Sequence, residues 1–293
     1  MPDYPRGVLL DLAGTRTHVV VDEPIAPASG PPVVLNSGLA GNWFDWDAVT
    51  ELLTASRTVV RLDRPGYGLS YPWPDGAVPT LDSEVTRLRE LLDALDIASA
   101  VLVGHSMASF YVEAFAREFP DRTAGAVLLD GSVETSPRWV VPGDLRDTAL
   151  LRSADAAAAV RMNLFGPLVH RMLGAGAPPP EYAEILSSEA YFRAAFLENG
   201  RYPVLAHELA DLRERTPLPA GVPFTVAAAF AGRRTPWASH WLEQQRELAD
   251  VLRARYAVIA PSGHQAMVDQ PAQTAALILD ATIPRGEPAG PTG

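Results

Sequence analysis

Ser106 stands in Gly104-His105-Ser106-Met107-Ala108, directly after an apolar run over 100–103 and before a helix-period pattern that reaches Phe119. Gly-x-Ser-x-Ala between a strand and a helix predicts a sharp, strained turn with the serine hydroxyl exposed at the strand's carboxyl end. Small residues two positions either side suit it, because the turn brings backbones close. The following helix start offers amide hydrogens and a positive dipole end to developing negative charge, so the Met107 amide is a candidate oxyanion donor. Ala108 stands where this turn usually has glycine.

A serine nucleophile needs a base within hydrogen-bond reach. Of six histidines, His264 follows the last apolar run in Pro261-Ser262-Gly263-His264, a glycine turn at the same strand edge. His105, beside the serine, is expected to point away in a structural role. His18 falls in an early hairpin, His170 and His207 in a helical stretch, and His240 at the opening of a helix. The base in turn needs a carboxylate. The loop after the run at 224–229, Phe230-Ala-Gly-Arg-Arg-Thr-Pro-Trp237, contains none. One strand earlier, Asp130 ends the run at 126–129 and is the candidate acid. The competing reading makes Asp130 a turn cap, with the acid elsewhere or missing; Asp269 is read as a cap for the helix beginning near Pro271.

A second oxyanion donor is expected from the glycine loop Asn36-Ser37-Gly38-Leu39-Ala40-Gly41, with the Leu39 amide the best placed. The loop Asp63-Arg64-Pro65-Gly66-Tyr67-Gly68-Leu69-Ser70 is expected to be structural, Asp63 bonding backbone amides.

Apolar runs at 8–12, 18–21, 33–36, 58–62, 100–103, 126–129, 224–229 and 256–259 read as strands. Helix-period stretches at 43–55, 81–95, 109–118, 240–252 and 273–280 alternate with them. This alternation predicts a mostly parallel α/β sheet covered on both faces, opened by an antiparallel hairpin. Residues 132–216 break the rhythm with helical stretches at 150–173, 181–197 and 204–214 and no strand signal. The expected organisation is a core of 1–131 and 217–283, a helical cap at 132–216 and a Pro/Gly-rich disordered tail at 284–293. Large apolar residues of the insertion (Trp139, Met162, Phe165, Met172, Tyr182, Tyr191, Phe192, Phe196, Tyr202) should mostly pack a small core of their own, a minority facing the sheet's carboxyl edge, where open α/β sheets bind ligands.

Composition narrows the chemistry. The 293 residues include no cysteine and no lysine, which excludes thiolate chemistry, a Schiff base and a P-loop lysine. A net charge of −11 without a basic run argues against nucleic-acid and anionic-membrane partners. No span is apolar enough for a membrane helix, and the first twelve residues carry one positive charge, Arg6, without a signal-peptide stretch. Cytoplasmic location is the expectation. No cofactor or metal is expected, and no G-x-G-x-x-G follows the first strand.

These residues together resemble the α/β-hydrolase superfamily, over about residues 7–282. The order Ser106, Asp130, His264 is that fold's Ser–acid–His order, and Asp63–Ser70 looks like its D-R-x-G-x-G-x-S element. Within it the chain is similar to a bacterial esterase/lipase-like group with S-G in the oxyanion loop, on Asn36-Ser37-Gly38-Leu39, on residues 125–130 and on the Trp–Gln–Glu-Leu stretch at 241–248. The resemblance implies an eight-stranded sheet with a helical cap, oxyanion roles for Leu39 and Met107, and supports Asp130, since some members carry the acid after the equivalent strand. It implies a cofactor-independent serine hydrolase that cleaves an ester, thioester or lactone through an acyl-enzyme. The same layout also serves hydroxynitrile lyases, C–C hydrolases and biosynthetic acyltransferases or cyclases. A binding protein on this scaffold is a third reading. Dehalogenases and epoxide hydrolases are disfavoured, because those members place Asp where Ser106 stands. The apolar insertion favours a small-molecule, mainly hydrophobic acyl substrate, although Arg161, Arg171, Arg193, Arg233 and Arg234 could bind a carboxylate.

Overall fold

The computed structural model describes residues 7–134, 143–159 and 182–282. Each apolar run forms a strand, several of them longer than the run: β1 (Val8–Leu12), β2 (Thr15–Asp22), β3 (Val33–Asn36), β4 (Val59–Leu62), β5 (Ala100–His105), β6 (Thr123–Leu129), β7 (Phe224–Ala229) and β8 (Arg255–Ile259). They form one eight-stranded sheet in the order β1-β2-β4-β3-β5-β6-β7-β8. The β1–β2 hairpin is antiparallel and β2 pairs antiparallel with β4; the remaining pairings are parallel. Ala13 and Gly14 turn the hairpin with φ of 48° and 72°, both left-handed, as a two-residue turn between twisted strands requires. Strands β3, β4, β5 and β7 are buried along their whole length, which is why they read as unbroken apolar runs.

Two layers of helix cover the sheet. On one face α1 (Asp47–Leu53), α8 (Ala266–Asp269) and α9 (Pro271–Leu279) bury Val49, Leu53, Met267 and Ile278 against Val33, Val101 and Val127. On the other, α2 (Leu81–Ala94), α3 (Ala108–Glu118) and α7 (Pro236–Val251) bury Leu88, Leu91, Phe110, Phe115 and Leu248 against Val34, Leu102 and Leu128. The stretch expected as one helix over 43–55 divides into a 3-10 turn at Trp43–Trp46 and α1. His240 lies inside α7 rather than at its start, because Thr235 caps the helix at the Ala238 amide, with Pro236 in its first turn.

Between β6 and β7 the described residues form α4 (Gly143–Ala159), α5 (Ala183–Leu186) and α6 (Glu189–Arg215), and no strand. Two helices expected over 181–197 and 204–214 are mostly one: α6 runs through Pro203. A proline inside a helix costs about 3 kcal/mol. The stripe of Leu197, Leu205, Leu209 and Leu212, fully or nearly fully buried, outweighs that at roughly 1.5–3 kcal/mol each. Three of the insertion aromatics among the described residues pack against the α/β core. Tyr182 stacks on Phe44 with ring centroids 4.1 Å apart, Tyr191 packs edge-on to Tyr67, and Tyr202 lies against Phe110. Trp139, Met162, Phe165, Met172, Arg161, Arg171 and His170 lie outside the described residues, as do the link at 174–180 and the tail at 284–293.

Candidate active site

Strand β5 ends at His105 and α3 begins at Ala108, so the chain reverses within two residues. Ser106 takes the strain, with φ of 53°. Its amide donates to the Leu129 carbonyl at 3.0 Å, fixing the turn to β6. A Cβ on Gly104 would lie 2.5 Å from the Ala108 carbonyl oxygen, so the turn needs glycine there. Ala108 is fully buried and leaves the turn intact, while the Ser109 hydroxyl accepts from the Ser132 amide at 3.0 Å. Ser109 therefore tethers the chain just beyond Asp130.

The sheet order places the end of β6 beside the end of β5, with β8 two strands further on. Across this edge the His264 Nε2 lies 2.9 Å from the Ser106 Oγ, and its Nδ1 lies 2.6 Å from the Asp130 Oδ2. Nδ1 facing a carboxylate carries the proton, which leaves Nε2 to accept from the serine hydroxyl. The other Asp130 oxygen accepts from the Ala229 amide and from the Trp241 indole Nε1, each at 2.8 Å. Asp130 has φ of 44° and its amide donates to the Ala227 carbonyl. The carboxylate thus spends its acceptors on the imidazole, β7 and α7, not on its own turn. Its side chain is buried while that of His264 is 40% exposed, so the acid is shielded and the imidazole is open to a substrate.

Two further contacts hold the histidine turn. His105 Nε2 lies 2.8 Å from the His264 carbonyl oxygen, an acceptor, so Nε2 bears the proton. Burial, with His264 close by, holds His105 well below the usual histidine range, and the ring is neutral. Asp269 was expected to cap the next helix. Instead its carboxylate accepts from the Gly263 amide at 2.7 Å, and Gln270 occupies the N-cap of α9 without a side-chain bond. The tight turn through Gly263 brings its amide within reach, which satisfies the donor locally.

The loop after β3 passes close to the serine. A Cβ on Gly38 would lie 2.8 Å from both the Ser106 Cβ and the His105 Nδ1. Only glycine allows that approach, which brings the backbone leading into Leu39 against the Ser106 side chain. Among the described residues neither amide donates to a protein acceptor. Asp63 is a buried hub, as expected: its oxygens accept from the Trp43 and Leu69 amides, and additionally from His18 Nδ1 at 2.8 Å. Arg64 beside it spans further. Its guanidinium donates to the Ser37 and Gly38 carbonyls and, bidentately, to Glu198 of α6 at 2.6 and 2.9 Å. Burial alone would favour neutral arginine, but Glu198 reverses that and keeps the charge. Tyr67, held protonated by burial and by the same carboxylate, donates to Glu198 at 2.9 Å.

Trp241, Arg64 and Glu198 were not singled out from sequence as partners of the site; only the position of Trp241 in a family-like stretch and of Arg64 in the D-R-x-G loop hinted at them. Arg193 pairs with Asp155 at 2.8 Å, and Arg233 and Arg234 are exposed on the loop after β7. That loop walls an apolar cavity of about 400 Å³ beside the histidine, lined by Phe230, Trp237, Ala238, Trp241 and His264. Trp237 is 72% exposed and lies parallel to Trp241, ring centroids 6.0 Å apart. Among the described residues no group of three or more His, Asp or Glu side chains is placed to hold a metal ion, and no helix is long and apolar enough to cross a membrane.

A hydroxyl, an imidazole and a shielded carboxylate in series are suited to making the hydroxyl a nucleophile and storing its proton on the ring. Known proteins are similar to this chain. The chain is 33% identical over 120 residues to epoxide hydrolase B of Mycobacterium tuberculosis, a match covering 41% of this chain and 33% of that protein. It is 26% identical over 226 residues to the 2-hydroxy-6-oxo-2,4-heptadienoate hydrolase of Pseudomonas putida, covering 76% of this chain and 68% of the relative. Cfl2 from Burkholderia cenocepacia superposes with a TM-score of 0.68 at 21% identity, covering 93% of this chain and 94% of that one. The alpha/beta hydrolase fold family model matches residues 31–271, and with the eight-stranded sheet and the loops described above the chain belongs to that family.

Proposed function

We propose that the protein is a cofactor-independent serine hydrolase of a small-molecule ester, thioester or lactone. Ser106 attacks the acyl carbonyl as His264 Nε2 takes its proton. Asp130 holds the ring in the required tautomer and stabilises the imidazolium. The amides of Leu39 and Met107 receive the oxyanion. His264 returns the proton to the leaving oxygen or sulfur, then activates water to release the acid. Proton transfer by the base contributes about 10²–10⁴ in rate and an oxyanion donor about 10²–10³, and because the groups act as a unit the loss of one can exceed its separate share. The observation that carries the reading is the unbroken series from the Ser106 Oγ through His264 to Asp130, at 2.9 and 2.6 Å.

Serine at position 106 separates this reading from that of the epoxide hydrolase relative. The tryptophan-walled cavity beside His264 favours an apolar acyl or alcohol portion over a charged one. Residues 132–216 act in this reading as a cap over the sheet's carboxyl edge, around the core of 1–131 and 217–283. Intact-mass analysis after treatment with a fluorophosphonate tests the nucleophile. A single adduct on the wild type and none on Ser106→Ala is expected; equal labelling of both overturns it. A p-nitrophenyl ester series then tests the reaction class. The match to a 2-hydroxy-6-oxo-2,4-heptadienoate hydrolase supports a second reading, the same triad cleaving a C–C bond. Probe labelling at Ser106 without turnover of any ester or lactone would select it.

A further inference from the structure

Helix α6 lays one face on the oxyanion loop. Tyr191 and Glu198 are seven residues apart, two turns on that face. The Tyr191 hydroxyl donates to the Ala40 carbonyl at 2.8 Å. Glu198 holds Arg64, whose guanidinium grips the Ser37 and Gly38 carbonyls. Between them, at Ala194, the helix passes so close to the Arg64 loop that a Cβ on Gly66 would lie 2.7 Å away. Three carbonyls of this loop, at 37, 38 and 40, are therefore held directly or through Arg64 by one helix of the insertion. Arg64, Tyr67 and Glu198 are all buried.

Peptide planarity gives this grip a consequence. In a trans peptide the carbonyl and the following N–H point in opposite directions. The guanidinium, at 2.8 Å, and the Gly41 amide, at 3.0 Å, fix the Gly38 oxygen on one side of the loop and so turn the Leu39 N–H to the other, and the Gly38 backbone lies against Ser106. We propose that Arg64, charge-balanced by Glu198, is a positioning residue that sets the oxyanion donor, and that α6 thereby couples the helical insertion to transition-state stabilisation. The inference rests on the serine-hydrolase reading. It adds that part of the oxyanion hole's geometry is dictated by a carboxylate 134 positions from Arg64 in the chain.

A pairing that serves only stability makes a different prediction. Breaking a buried ion pair by removing one partner is costly, whereas replacing both by apolar residues is often neutral. The test compares Glu198→Gln with the double variant Arg64→Met/Glu198→Leu, on chains whose Ser106 still takes the fluorophosphonate. Measured are kcat and KM on the best p-nitrophenyl ester, affinity for a trifluoromethyl ketone that forms an oxyanion adduct with the serine, and Tm. Loss of one whole oxyanion donor costs about 10²–10³ in kcat, so a misaimed one is expected to cost about 10–100-fold. The double variant should regain Tm relative to Glu198→Gln, yet keep the kcat loss and the matching loss of ketone affinity, with KM within about threefold. Wild-type kcat and ketone affinity in the double variant would overturn the proposal. Should the double variant not fold, Glu198→Gln decides: an unchanged kcat overturns the proposal, and a fall matched by the loss of ketone affinity upholds it. Failure of the wild type to label at Ser106 defeats the hydrolase reading itself, and this inference with it.

Discussion

Two neighbouring loops at the carboxyl edge of the sheet have opposite characters. After β6 the chain turns at once through Asp130, in left-handed geometry, and both oxygens of its carboxylate are engaged, by His264, Ala229 and Trp241. After β7 the chain runs through exposed residues without an acid and opens an apolar cavity under Trp237. In the proposed hydrolase, the difference relates the place of the acid to the character of the substrate side. A carboxylate at the end of β6 reaches the histidine past the end of β7, so the β7 loop needs no acid, and the residues after β7 that face the cavity, Phe230, Ala231 and Trp237, are apolar. Trp241 joins the two, giving its N–H to the acid and its ring to the cavity wall.

Removing the group both loops share should have the largest effect. His264→Ala is expected to lower kcat by about 10⁴ or more, leaving only binding and oxyanion stabilisation; turnover within tenfold of wild type would separate the imidazole from the chemistry. Trp241→Phe keeps the cavity's aromatic wall but deletes one donor to Asp130. A hydrogen bond to a charged group contributes about 1.5–3 kcal/mol, so roughly a tenfold or larger fall in kcat is expected, with KM little changed. Trp237→Ala strikes only the β7 side. It should raise KM for aryl or long-chain esters about fivefold, while kcat and the KM for acetate esters hold, because it removes apolar contact and no catalytic bond. A kcat-only effect at Trp237, or a KM-only effect at Trp241, would erase the division between the loops.

The smallest expected effect concerns the support of the histidine turn. His105 is neutral in the fold because burial lowers its pKa, whereas in the unfolded chain it titrates near 6.5. Below about pH 6.5 the unfolded state binds the extra proton, so the stability this residue provides is present above that pH and is lost as pH falls toward the folded-state value. The thermal-melt curve of the wild type should therefore decline more steeply from about pH 6.5 to about pH 5 than that of His105→Gln, whose side-chain amide can still donate to the His264 carbonyl. Parallel curves would remove His105 from that role.

Legibility followed sequence distance. Ser106 is announced by its own five residues, because a strained strand-to-helix turn needs small neighbours on both sides. Asp130 and His264 are announced by standing just past apolar runs, since strand ends are where side chains leave the core. Trp241, 111 positions from Asp130, and Glu198, 134 from Arg64, carry no local mark. Their roles arise from which helices the sheet order brings to one edge. Pro203 misled for a related reason: its local signal argues for a helix end, and only the tertiary burial of the leucines on both sides of it overrides that. Asp269 was read as a helix cap from its place before Pro271, but the glycine turn upstream offered it a nearer amide.

The central claim is that the working acid is Asp130, on β6. Steady-state turnover of Asp130→Asn, beside its melting temperature, tests it most directly. The account predicts a fall in kcat of about 10⁴ with a melting temperature close to wild type, since asparagine preserves the shape but leaves His264 in the wrong tautomer. Turnover within tenfold of wild type in a folded Asp130→Asn protein would contradict it and place the acid elsewhere.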